Sequence, residues 1–180
     1  QSPHTCGCLY RMSILDRFCL PLCQTLCGMK CGPEKCSLCD SSGDQAFLGA
    51  DLLCIPLDDQ QEWYRYHHLF QELLQAFLEA HCDPTEVAAL HEKAARWFEE
   101  QGLIDEAVQH ALKGLDPTEA AALIARHRRE ILNNEQWHRL DQWLRWLPPG
   151  VGDDNPELLL LKAWILENRC RYSELGQALD

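Results

Sequence analysis

Eleven cysteines in 180 residues, eight of them before residue 40, give this chain its widest chemical repertoire. Cys27, Cys31, Cys36 and Cys39 have the spacing Cys-x3-Cys-x4-Cys-x2-Cys. Four such thiolates can hold one Zn²⁺ tetrahedrally, with the Cys36 and Cys39 pair closing a short chelate. Two other readings compete. Cys19, Cys23 and Cys27 recur at i, i+4 and i+8, the spacing of small apolar residues buried on a helix, which makes these inert thiols. A disulfide is the third reading, and a reducing compartment disfavours it.

Histidine is the second candidate chemistry. His67 and His68 stand where a period-two pattern gives way to a helical one. In the plainer reading they serve the first turn of that helix and pack beside Trp63. His81, His91 and His110 stand singly on helical stretches and read as surface or edge residues. Asp153 and Asp154, before Asn155 and Pro156, read as a solvated turn that opens a helix. No Ser/His/Asp or Cys/His arrangement and no G-x-x-x-x-G-K-[ST] phosphate loop is found, so the chain reads as non-enzymatic.

The element that must position these groups runs from residue 52 to 78. Leu53, Ile55 and Leu57 alternate, as do residues 63–66, and Asp58-Asp59-Gln60-Gln61 lies between them, which is the pattern of a β-hairpin. From His67 on, Leu69, Phe70, Leu73, Leu74, Phe77 and Leu78 form one apolar helical stripe. Upstream, Ile14, Leu15, Phe18, Leu22 and Leu26 have helix spacing, with Ser13 as cap, Asp16 in the first turn and Gly28 as stop. A small hairpin packed on a few helices is a winged-helix signature.

Downstream the pattern is helical throughout. Helices are expected over 85–101, 104–115, 117–133, 135–147 and 156–168, with another opening at Ser173. Breaks recur at about 34 residues, near the tetratricopeptide period. Trp143 shares a helix face with Leu140, Leu144 and Leu147 and reads as core. The fold class is therefore mainly α: a winged-helix unit with a small β-hairpin, followed by an antiparallel helical-repeat array. We divide it into an irregular segment over 1–8, a winged-helix-like domain over 9–82 with a Cys-rich loop at 28–49, and a helical connector with the start of a tetratricopeptide-like array over 83–180.

Sixteen basic residues scattered among 28 acidic ones, for a net charge of -12, argue against a nucleic-acid-binding surface. No apolar run approaches the roughly 20 residues of a membrane span, and the chain reads as cytoplasmic. Gln1 is no initiator and the last helical pattern is cut at Asp180, so a piece of a longer polypeptide is expected.

Three runs carry a family resemblance: LYRMSILDRFCLPLC over 9–23, IPLDDQQEWYRYHHLF over 55–70, and LHEKAARWFEEQGLIDEA over 90–107. Together they resemble the MalT-like large ATP-binding transcriptional regulators that end in a LuxR-type DNA-binding domain. That resemblance implies a segment with a winged helix, a connector and the first helices of a sensor array. It also implies an ATPase upstream and a helix-turn-helix downstream in the same polypeptide. His67 lies where related switches place the histidine of Met-His-Asp-Leu, which touches the β-phosphate of bound ADP; His68 stands in place of the Asp. ATP or ADP would thus act through the ATPase, with zinc as the other candidate cofactor.

The expected role is that of a signal relay and sensor, answering to a small-molecule or protein inducer, with self-association on activation and no direct contact with nucleic acid or membrane. The rivals are a helical-repeat scaffold for a protein partner and a winged-helix DNA-binding module with a structural zinc.

Overall fold

The protein's structure, a computed structural model, describes residues 3–28, 53–153 and 155–179, with side chains over 8–28, 53–153 and 155–168. The Cys-rich loop lies, beyond Gly28, outside the described residues. Two compact units are present, residues 1–97 and 98–180, where the sequence places its boundary at residue 83.

The first unit holds α1 (Pro3–Met12), α2 (Leu20–Cys27), β1 (Cys54–Pro56), β2 (Tyr64–Tyr66), α3 (His68–His81) and most of α4 (Pro84–Glu100). Helix α1 takes in residues 3–8 of the segment expected to be irregular. Pro3 occupies its first position, where a missing N–H costs nothing. The helix packs on α2 and α3, and Cys8 and Met12 are buried. Tertiary burial therefore supplies what local periodicity lacks.

The single helix expected from Ser13 to Gly28 is divided. Ser13 Oγ donates to the Tyr10 carbonyl at 2.6 Å, closing α1 instead of capping a second helix. Phe18 then exchanges both backbone hydrogen bonds with Tyr64, at 2.8 and 2.9 Å, and so extends the hairpin by one bridge. Ile14, Leu15, Phe18, Leu22 and Leu26 are all buried, so their spacing is used without one continuous helix. Gly28, at φ +74°, ends α2 as expected.

The hairpin forms as read. Cys54 pairs Tyr66, Ile55 pairs Arg65 and Pro56 pairs Tyr64 in an antiparallel register. Asp58 closes its loop by accepting the N–H groups of Glu62 and Trp63 at 2.8 and 3.1 Å. Trp63 carries the Arg17 guanidinium 4.7 Å above its ring and meets Trp97 edge-on at 6.2 Å.

In the second unit, α5 (Ile104–Gly114), α6 (Pro117–Asn133), α7 (Trp137–Trp146) and α8 (Pro156–Leu179) are joined by short turns. A local repeat governs them. Asp83-Pro84-Thr85-Glu86 opens α4 and Asp116-Pro117-Thr118-Glu119 opens α6, each Asp accepting the Thr N–H two residues on, at 2.9 and 2.8 Å. Both helices are 17 residues long. Each ends in the same turn: Leu103 N–H bonds Phe98 O after Gly102 at φ +73°, and Gln136 N–H bonds Ile131 O after Glu135 at φ +58°.

Helix α5 packs on α6 and α7, and α8 packs on α6 and α7. Trp143 and Leu140 are fully buried, as their spacing implies. The helix expected to stop at Asn168 and restart at Ser173 is one continuous α8, because nothing in that interval removes a backbone donor: neither Pro nor Gly interrupts residues 168–175. His91 and His110, read as surface or edge residues, are buried; His110 lays its flat ring on Phe98 at 5.4 Å, which the imidazole face permits.

Candidate functional site

Strand β2 runs straight into α3, and His67 is the residue between them. Its N–H donates to Leu53 O at 2.9 Å, tying it to the start of β1, and its carbonyl accepts from Phe70 and Gln71 at 2.9 and 3.0 Å. The backbone is thus anchored from both elements. The half-buried imidazole makes no cap hydrogen bond and lies 4.4 Å from the exposed His68 ring. An imidazole held in this way can offer a ring N–H to an anion.

One residue back, Tyr66 points inward and is 2% exposed, yet its hydroxyl has no hydrogen-bond partner among the described residues. Burial, reinforced by Cys54, Cys23, Cys27 and Cys8, drives the phenol far above its ordinary range. The thiols share that apolar surrounding. Burial pushes Cys54 up to about 11, and burial likewise raises Cys19 against the weaker pull of the Leu22 amide and Arg17. Burial of this kind disfavours the thiolate, the form of cysteine that attacks electrophiles and binds metals.

Of the four cysteines read as a zinc set, Cys27 ends α2 as a half-buried residue. Cys31, Cys36 and Cys39 lie outside the described residues. Among the described residues no group of three His, Cys, Asp or Glu side chains comes together to hold a metal ion.

The apolar stripe of α3 is divided by the fold. Leu74 and Leu78 are buried, whereas Leu69, Leu73 and Phe77 face solvent at 63%, 64% and 42% exposure. Two glutamines fix which side turns inward: Gln71 Nε2 donates to Ser13 O and Leu15 O at 3.0 Å each, and Gln75 Nε2 donates to Ser13 O at 2.8 Å. Ala76 and Ala80 complete the outward ridge, and Glu72 and Glu79 stand exposed along one edge of it. The helix carries no Lys or Arg. Sequence reasoning missed this face because periodicity marks apolar positions without saying which of them meet the core. The recurrence of Glu at i and i+7 beside the stripe was the available signal.

Among the described residues no helix is long and apolar enough to cross a membrane. Comparison with known proteins gives one family model, MalT winged helix domain, matching residues 1–87. The curated proteins named HTH-type transcriptional regulator MalT from two strains of Klebsiella pneumoniae are each 34% identical over 126 residues, which is 68% of this chain and 14% of theirs. Its counterpart in Cronobacter sakazakii matches to the same extent. The chain thus spans 14% of the length of the curated relatives it matches.

Proposed function

Because the chain belongs to the family of MalT-like regulators through its MalT winged helix domain, we propose that it is a non-enzymatic relay and sensor segment of a transcriptional activator. In this reading the winged helix takes up the nucleotide state of an ATPase module in the same polypeptide, with His67 donating to the ADP phosphate. The helical array carries the bias imposed by a small-molecule or protein inducer, and a helix-turn-helix elsewhere in the polypeptide reads DNA in the cytoplasm. Each input acts by binding one conformation better than another, and self-association accompanies activation.

The observation that carries this reading is the outward face of α3. A helix that enters the DNA major groove supplies cations to phosphates and donors to base edges. Helix α3 instead presents Leu69, Leu73 and Phe77 beside Glu72 and Glu79, a face suited to protein.

Fluorescence anisotropy of labelled duplex DNA with the 180-residue chain tests the point. No saturable binding is expected at physiological ionic strength, and a salt-sensitive complex would overturn the relay reading. Replacing His67 with Ala in the complete polypeptide should raise basal transcription; an unchanged basal level removes the phosphate role from His67.

A further inference from the structure

We propose that the outward face of α3 docks a helix of a protein partner that carries apolar anchors bordered on one edge by Lys or Arg. The inference rests on the reading that this winged helix contacts protein rather than DNA, and it names the chemistry of what it contacts. Leu69, Leu73 and Phe77 stand at i, i+4 and i+8, and with Ala76 and Ala80 they make a continuous apolar ridge, at one end of which the Phe77 ring rests on Tyr10 at 4.8 Å and on His81 at 3.9 Å. Such a ridge fits the packing of one helix on another, in which apolar side chains at this spacing interlock with those of the facing helix and flanking charges set the choice of partner.

Charge selects the occupant. Glu72 and Glu79, exposed on the same edge, present two carboxylates along the ridge, and α3 carries no Lys or Arg beside them, its basic side chains being the exposed imidazoles of His68 and His81. A second copy of α3 cannot supply one: packed antiparallel, the acidic edges of two copies face each other, and packed parallel, each meets an edge that lacks Lys and Arg. Anionic lipid and nucleic-acid phosphate are repelled by the same carboxylates. A basic-edged amphipathic helix satisfies both the ridge and its border.

The test titrates the 180-residue chain with two synthetic helix-forming peptides that share a Leu stripe, one edged with Lys and the other with Glu. The Lys-edged peptide should bind about five- to tenfold more tightly at low salt, and the preference should shrink as NaCl is added. Replacing Glu72 and Glu79 together with Lys should reverse the preference. Leu73→Ala should weaken both peptides, and the exposure of all three positions leaves the helical circular dichroism unchanged. Binding of neither peptide, equal binding of both, or a preference indifferent to the charge reversal overturns the proposal. So does a concentration-dependent dimer in sedimentation that Leu73→Ala abolishes, or capture by anionic vesicles. DNA binding in the anisotropy experiment would instead strike at the relay reading, so the two failures are distinguishable.

Discussion

Asp105, in the first turn of α5, accepts the indole N–H of the fully buried Trp143 at 2.5 Å. The same carboxylate accepts Arg139 Nη2 at 2.9 Å and Nε at 3.3 Å. One carboxylate therefore serves two residues a turn apart on α7, and it does so at a helix N-terminus that favours negative charge. Truncating it leaves a buried donor without its acceptor, which costs about 1–3 kcal/mol. Arg139→Ala removes a half-exposed ion pair and should cost under about 1 kcal/mol. Asp105→Asn, which retains an acceptor for the indole, should fall between. Urea unfolding monitored by tryptophan fluorescence ranks the three, and equal costs for Asp105→Ala and Arg139→Ala would contradict the indole bond.

The paired turns at Gly102 and Glu135 make a second case. Both hold φ near +60° to +75°, but Glu135 bears the steric penalty of a Cβ there, roughly 1–2 kcal/mol. Glu135→Gly should raise the melting temperature, whereas Gly102→Ala, with open space around its Cβ, should lower it through backbone strain alone. If both substitutions shift stability in the same direction, the shared turn geometry is wrong.

Acid should act on Glu99. Burial on its own would raise this carboxyl, but hydrogen bonds from His127 at 2.9 Å and Arg126 at 3.0 Å outweigh it and hold the group below its ordinary 4.5. Because the folded value lies below the unfolded one, the unfolded chain binds the proton first as pH falls. The stabilisation is present above 4.5 and lost as pH drops through the folded value. The melting-temperature gap between the wild type and Glu99→Gln should therefore close on acidification below 4.5. A gap that stays constant through that range would reject the assignment.

Gly152 separates backbone strain from packing. At φ +79°, its Cβ would stand 2.7 Å from Leu158 Cδ1, and Leu158 is fully buried. Gly150, at φ +86°, has nothing within 4 Å. Gly150→Ala should cost roughly 1–2 kcal/mol from the backbone, and Gly152→Ala about 1–3 kcal/mol more from overpacking against α8. Thermal melts that give equal losses would mean Leu158 can move aside.

Much of this fold was readable from local signals. The hairpin declared itself by alternation around Asp58 to Gln61, and α4 and α6 by an Asp-Pro start that fixes φ and supplies a cap. The rest depends on residues far apart in sequence. Nothing near Phe18 announces its pairing with Tyr64, and the Pro, Gly and Cys of residues 3–8 gave no period for α1. Tyr66 reads as an ordinary strand aromatic until the thiols of Cys8, Cys23 and Cys54 are seen around it. At the candidate site, His67 could be placed at the junction from the change of period, but the outward ridge of α3 could not be told from its inward side.

The amide side chains of Gln71 and Gln75 have a mechanical effect beyond stability. By gripping the main chain at Ser13 and Leu15, they forbid α3 to roll about its own axis or to slide past the exit of α1 without breaking three hydrogen bonds at once. The ridge of Leu69, Leu73 and Phe77 is consequently aimed before anything arrives. A visitor meets a stiff blade instead of a loose coil, so little entropy is lost in arranging the receiving side and more of the contact energy appears as affinity.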